Sequence, residues 1–230
     1  RVIVGGADNT AFWQQHPEAG DVAIPSQRIA LEAAADLGGE FFRWCFAVAI
    51  AGSIMQLNPF DEPDVAATKT TTRRLLDGDG PTETSTALTL GELGSCLASA
   101  GTGSYLAILT YLPAEPAFFD VLEDFAQRVR ERFAIPVTVN SGPRYLHSTG
   151  QLHKGGSPKG IFLFVRSAPE HDLDIFNEDF GFAHLNHLQA EGDRAVLTGR
   201  GRSVSGIDLV GPTMSCVAQL RSDLADVLST

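Results

Sequence analysis

The chain has 230 residues, 43% of them hydrophobic and 20% charged, with a formal net charge of −11 and a pI of about 4.9. These are the proportions of an ordinary soluble globular protein, with room for one good-sized domain or two small ones. The acidic balance argues against nucleic acid as a general partner, because binding a phosphate backbone needs a broad basic surface.

Taken in order, Arg1 to Gly6 reads as a short buried strand closed by a glycine pair, and Ala7 to Pro25 as irregular and turn-rich. Helical periodicity begins near Leu31 and is strongest from Asp36 to Leu57, where Phe41, Phe42, Trp44, Cys45, Val48 and Ala49 crowd the faces. A helix apolar all round is expected to be buried. It is expected to stop at Asn58-Pro59, since a residue before proline leaves the helical region. Pro63 suits the first turn of a second helix running to Leu76, with Asp61 or Glu62 as its cap. The stretch from Asp77 to Thr86 is rich in Gly, Pro, Asp and Thr and marks a linker. The expected organisation is therefore a strand-plus-helices segment over 1–76, a linker over 77–89 and an α/β domain over 90–230.

The longest apolar run, Phe46 to Ile54, is roughly half of the ~20 residues that a membrane span requires. Cys45, Cys96 and Cys216 lie far apart and form no CxxC, which reads as free thiols in a reducing, cytoplasmic setting. Arg1 stands directly on a strand without an initiator Met, so the chain reads as a piece of a longer polypeptide.

Beyond Leu90 to Ala100, a short helix, the pattern alternates. Strands are expected at Tyr105–Tyr111, Pro136–Val139, Ile161–Val165 and Val204–Val210. Helices are expected at Pro116–Phe133, Phe182–Gly199 and Pro212–Leu228. Continuous apolar strands separated by helices predict an α/β fold with a largely parallel sheet flanked by helices. Ligands of such sheets bind at the carboxyl ends of strands.

The loop after Pro136–Val139 is in that position. From Gly142 to Gly160 it carries Arg144, His147, His153, Lys154 and Lys159 among several glycines, and no Asp or Glu occurs from Arg132 through Pro169. Backbone N–H groups and fixed positive charges in such a loop suit a phosphate or carboxylate ligand. The spacing of His147 and His153 does not fit a zinc site, and His184 with His187 lacks a third ligand, so no metal is expected.

The stretch Tyr145-Leu-His-Ser-Thr-Gly-Gln-Leu-His-Lys-Gly-Gly156 resembles the GPRxLHSTGQLHKGGP element of the phosphoglucose isomerase part of bacterial bifunctional transaldolase/glucose-6-phosphate isomerases. Asn58-Pro-Phe-Asp-Glu-Pro-Asp-Val-Ala-Ala-Thr-Lys69 resembles their NPFDQPxVExxK motif. Leu37 to Trp44 is similar to the helix before it, and Phe180-Gly-Phe and Gly199 to Val204 resemble two downstream segments. The likeness runs in the family's order from Leu37 to Val210.

The resemblance implies a sugar-isomerase (SIS) fold and the interconversion of glucose 6-phosphate and fructose 6-phosphate, without metal or cofactor. It implies His147 and Lys69 as catalytic residues that help open the sugar ring, with a glutamate moving a proton between C1 and C2 through a cis-enediol. It implies Arg144, Ser148 and Gln151 as residues that position sugar or phosphate, with His153 and Lys154 as helpers, and a homodimer whose site is shared between subunits. The family's base and its Ser/Thr-rich phosphate loop lie upstream of the NPFD motif, so the chain is expected to hold the C-terminal portion of an isomerase, inactive in isolation and completed by an upstream SIS half, with transaldolase as a further fusion partner. Glu62 and Cys45 depart from the family, which has Gln and Glu there. The reading from a different class is a non-catalytic SIS-like domain that binds a sugar phosphate or holds a dimer together.

Overall fold

A computed structural model describes residues 2–6, 27–78, 89–168 and 172–229. The chain divides into two compact units, Arg1–Asp61 and Glu62–Thr230. The division corrects the expected boundary: the helix after Pro63 belongs with the C-terminal unit and not with a segment ending at 76. Most of the expected linker over 77–89, and the irregular stretch from Ala7 to Pro25, lie outside the described residues.

In the N-terminal unit β1 (Val2–Gly6) pairs in parallel with β2 (Gln27–Leu31), a strand that the sequence reading missed. Helix α1 (Asp36–Met55) follows, and Gln56 closes it in the left-handed region at φ 56°. The expected burial of α1 is not observed. Only Glu40 and Gly52 are buried, while Phe42 is 72% and Ile54 77% exposed. An all-round apolar pattern fits an interior helix, but a helix with uncovered apolar faces carries the same pattern. By length and composition α1 also suffices to cross a membrane. Asp36, Glu40 and Arg43 nevertheless place three charges in its first half, so that only 44–55 of the helix is an unbroken uncharged run.

The C-terminal unit is an α/β fold with an all-parallel sheet flanked by helices. Its elements are α2 (Pro63–Leu76), α3 (Leu93–Ala98), β3 (Tyr105–Tyr111), α4 (Pro116–Phe133), β4 (Val137–Ser141), a 3-10 turn (Arg144–His147), α5 (Gly150–Gly155), β5 (Gly160–Ser167), α6 (Phe182–Gly199), β6 (Ser203–Leu209) and α7 (Thr213–Ser229). The strand order is β4-β3-β5-β6. Both faces are covered, which is why β5 reads Ile-Phe-Leu-Phe-Val without alternation and is buried from Gly160 to Arg166.

Alternate residues of each strand feed two cores. On one side Leu106, Ile108, Leu163 and Val165 meet Phe118, Leu122 and Phe125 of α4 and Leu220 and Leu224 of α7. On the other Ala107, Leu109, Phe162 and Phe164 meet Tyr145, Leu146, Ala190 and Leu197. Burying a side chain such as Phe162 contributes about 2–3 kcal/mol. Helix α2 joins this second side through Val65, Thr68 and Thr72, a more polar face than its neighbours present. It lies so close to α6 that a Cβ on Gly192 would sit 2.4 Å from Thr72 Oγ1.

Candidate functional site

The acid-free loop is not irregular, as the sequence suggested, but two short helical pieces folded against α6. It leaves β4 at the carboxyl edge of the sheet, where Gly142 passes so close to Tyr111 that a Cβ would lie 2.5 Å from its ring. The 3-10 turn then buries Tyr145 and Leu146 and leaves Arg144, His147 and Ser148 exposed. Three of the expected site residues are thus presented together on one turn. Among the described residues the His147 imidazole makes no hydrogen bond or ion pair, whereas Ser148 Oγ donates back to the Tyr145 carbonyl at 3.2 Å.

The other loop residues turn inward. Lys154 is 1% exposed and forms an ion pair with Asp193 of α6. The hydroxyl of Tyr145 donates to the other oxygen of the same carboxylate. Burial pushes the Asp193 carboxyl up to about 8. Burial likewise brings the Lys154 ammonium down to about 8, against the opposing charge of Asp64. Tyr111, whose hydroxyl is 3.5 Å from that of Tyr145, is raised by burial and then by the Asp193 charge.

His153 is 2% exposed. It stacks on Tyr105 at 5.8 Å and takes an edge contact with Phe162 at 5.3 Å. Its Nδ1 lies 3.2 Å from the Tyr105 hydroxyl, while Nε2 has no partner among the described residues. Burial, and then the neighbouring Lys154 charge, lower it to about 4, so it is neutral at pH 7. His153 and Lys154, expected to help hold substrate, therefore face protein. The spacing that makes them look like ligands in a flat sequence places them on the inner face of α5.

Gln151 is also committed. Its Oε1 accepts the Asp64 backbone N–H at 3.0 Å and its Nε2 donates to Asp64 Oδ2 at 2.7 Å. Arg200, at the end of α6, pairs with the remaining oxygen of Asp64. Arg202 donates to the carbonyls of Lys154 and Gly156 at 2.6 and 2.8 Å. The loop is thus held by α2, by α6 and by the start of β6.

Lys69 is on α2, 3.9 Å from Glu62, and both are exposed. No hydrogen bond or ion pair joins it to the His147 turn among the described residues. The departure at Glu62 therefore has a local partner in Lys69.

Sequence reading missed Asp193, Asp64 and Tyr145. A signal for the first was present: Ala190, Asp193 and Leu197 recur at helical spacing on one face of α6, so the acid stands in an apolar stripe.

No family model matches the chain, and no curated protein matches it. Among solved structures it is similar to the hypothetical protein TT0462 from Thermus thermophilus, with 18% identity and a TM-score of 0.43 over 70% of this chain and 44% of that one. The chain spans less than half the length of that protein.

Proposed function

We propose that this chain is the C-terminal portion of an isomerase that interconverts glucose 6-phosphate and fructose 6-phosphate. The observation that carries the reading is the exposed turn at the carboxyl edge of the sheet, where Arg144, His147 and Ser148 reach solvent while the residues between and beyond them anchor it. In this reading Arg144 and the turn's N–H groups attract the phosphosugar, the C1 hydroxyl passes its proton to solvent water as the C1–O5 bond breaks and the C1 carbonyl forms, and His147 protonates the departing ring oxygen. Lys69 stabilises the oxyanion that develops.

The carboxylates that touch the loop are engaged, Asp64 by Arg200 and Gln151, and Asp193 by Lys154 and Tyr145. The base that carries a proton from C2 to C1 is therefore assigned to protein outside this turn. The uncovered faces of α1 support a homodimer. The free thiols Cys45, Cys96 and Cys216 are in keeping with the cytoplasm.

That same engagement of both carboxylates favours a second reading, a non-catalytic domain that binds a phosphosugar. A coupled assay on the protein from its complete reading frame, with calorimetry using fructose 6-phosphate, separates the two. Turnover supports the enzyme, and binding without turnover supports the second reading. Absence of both refutes the pair.

A further inference from the structure

The carboxyl edge of the same sheet holds a crevice that the cationic turn does not use. In the order β4-β3-β5-β6 the chain passes from β3 to β4 on one side and returns to β5 on the other, so the winding reverses between β3 and β5. Open α/β sheets take ligands outside the strand ends at such a reversal. A pocket of about 720 Å³ opens there, within the usual range for small-molecule sites. The last residues of β3, β5 and β6 form one wall, and the first turns of α6, with Phe182, His184, Asn186 and His187, form the other.

The charges in this crevice are already spent. Arg166 gives Nε and Nη2 to the two oxygens of Asp208 at 2.7 and 2.8 Å, and Nη1 to Glu191. Burial acting alone would lower its pKa, but the two carboxylates outweigh burial and raise it. Asp172 accepts the backbone N–H groups of Leu173, Ala183 and His184 at 2.8, 2.6 and 3.1 Å, which hold its carboxyl below the usual range. The lining thus carries one guanidinium, taken up by Asp208 and Glu191, against two carboxylates, Asp172 and Asp208. An anion entering here meets the carboxylates and, among the described residues, no unshared guanidinium or ammonium group.

What is left to bind with is amide and imidazole. Among the described residues the Asn186 amide and the His187 imidazole make no hydrogen bond. Burial, then the Arg166 charge, lowers His187, so at pH 7 it is a neutral ring with one donor and one acceptor. Around them Leu173, Phe182 and Val210 are 71%, 57% and 76% exposed, an apolar rim with an aromatic ring able to lie against a flat partner.

We propose that this crevice is a binding site for an uncharged planar heterocycle of the nucleoside class, distinct from the phosphosugar reading and independent of it. The heterocycle lies against Phe182 and the rim, and its hydrogen-bonding edge meets Asn186 and His187. Charge complementarity selects the nucleoside over its phosphorylated form.

The test is a titration of the chain with adenosine, guanosine, cytidine and uridine, followed by heteronuclear NMR, and with the monophosphate of whichever binds best. The expected result is saturable binding of at least one nucleoside with Kd below about 1 mM, amide shifts at Ala168, Leu173, Ala183 and Val210, and a monophosphate at least about tenfold weaker. Phe182→Ala, at an exposed rim position, is expected to weaken binding about tenfold without loss of fold. The proposal is overturned if no nucleoside saturates, if the monophosphate binds as well or better, or if the shifts fall elsewhere. Unaltered affinity in Phe182→Ala overturns it as well. Binding of fructose 6-phosphate at the His147 turn is read from different amides, so failure of one site does not stand in for failure of the other.

Discussion

Lys154 and Asp193 meet with both side chains at 0% exposure, one from the loop after β4 and one from α6. The same carboxylate accepts the hydroxyl of Tyr145, so both helical pieces of the loop, the turn that carries His147 and the helix α5, are fastened to one buried acid. Burial moves each group toward its neutral form, Asp193 up to about 8 and Lys154 down to about 8. Each is thus the other's compensation in a place where water supplies none.

Removing one partner strands the other. Asp193→Leu or Lys154→Met alone is expected to destabilise the fold by about 3–5 kcal/mol, while the double variant loses far less than their sum. Urea unfolding of the four proteins checks this. If the two single effects simply add, the groups act independently and the anchoring argument fails.

His153 makes the fold sensitive to acid. Its pKa is lowered from 6.5 to about 4, so the folded state disfavours the imidazolium. Its stabilising contribution is fully present above pH 6.5 and is lost as pH falls toward 4, by up to about 3 kcal/mol. Asp193 works in the opposite sense, because its raised pKa makes stability decline as pH rises from 3.8 to about 8. The His153 part is therefore read as the difference in acid slope between the parent and His153→Gln. An unchanged slope would contradict the assignment.

The four strands of the larger sheet and the helices packed on them were legible because they bury apolar residues whose pattern appears in the sequence, as with Phe118, Leu122 and Phe125 of α4, whereas β2 was missed. The 3-10 turn and α5 were not, because the residues they bury include His153, Lys154 and Gly150. Apolar periodicity does not register a helix fixed by a buried ion pair. Helix α1 was legible as a helix but not in its exposure, since composition reports how apolar a face is and not what covers it. Within the candidate site, the exposed positions of Arg144, His147 and Ser148 agree with a role outside the core, while Gln151, His153 and Lys154 needed the packing of α2 and α6 to be placed.

Glu62 and Lys69 form an exposed pair at 3.9 Å, and exposed pairs contribute little to stability. Glu62→Gln is expected to change unfolding free energy by less than about 0.5 kcal/mol. If Lys69 serves a phosphosugar, the same change removes a like charge and tightens binding of fructose 6-phosphate by calorimetry. Weaker binding would mean instead that Glu62 orients the lysine.

His147 and His153 stand six residues apart and are expected to fail in opposite ways. His147 is exposed and, among the described residues, without a hydrogen bond, so His147→Ala is expected to leave thermal unfolding within about 0.5 kcal/mol of the parent. In the protein from its complete reading frame, loss of the ring-opening acid is expected to lower turnover by about 10²–10⁴-fold. His153→Gln is expected to shift unfolding while the Michaelis constant for fructose 6-phosphate stays near that of the parent, since its ring faces Tyr105 and Phe162. The crossed outcome is informative because both histidines belong to one loop and any general loosening would affect both. Should His147→Ala destabilise the fold and spare turnover, the turn is a structural element and the catalytic assignment moves elsewhere.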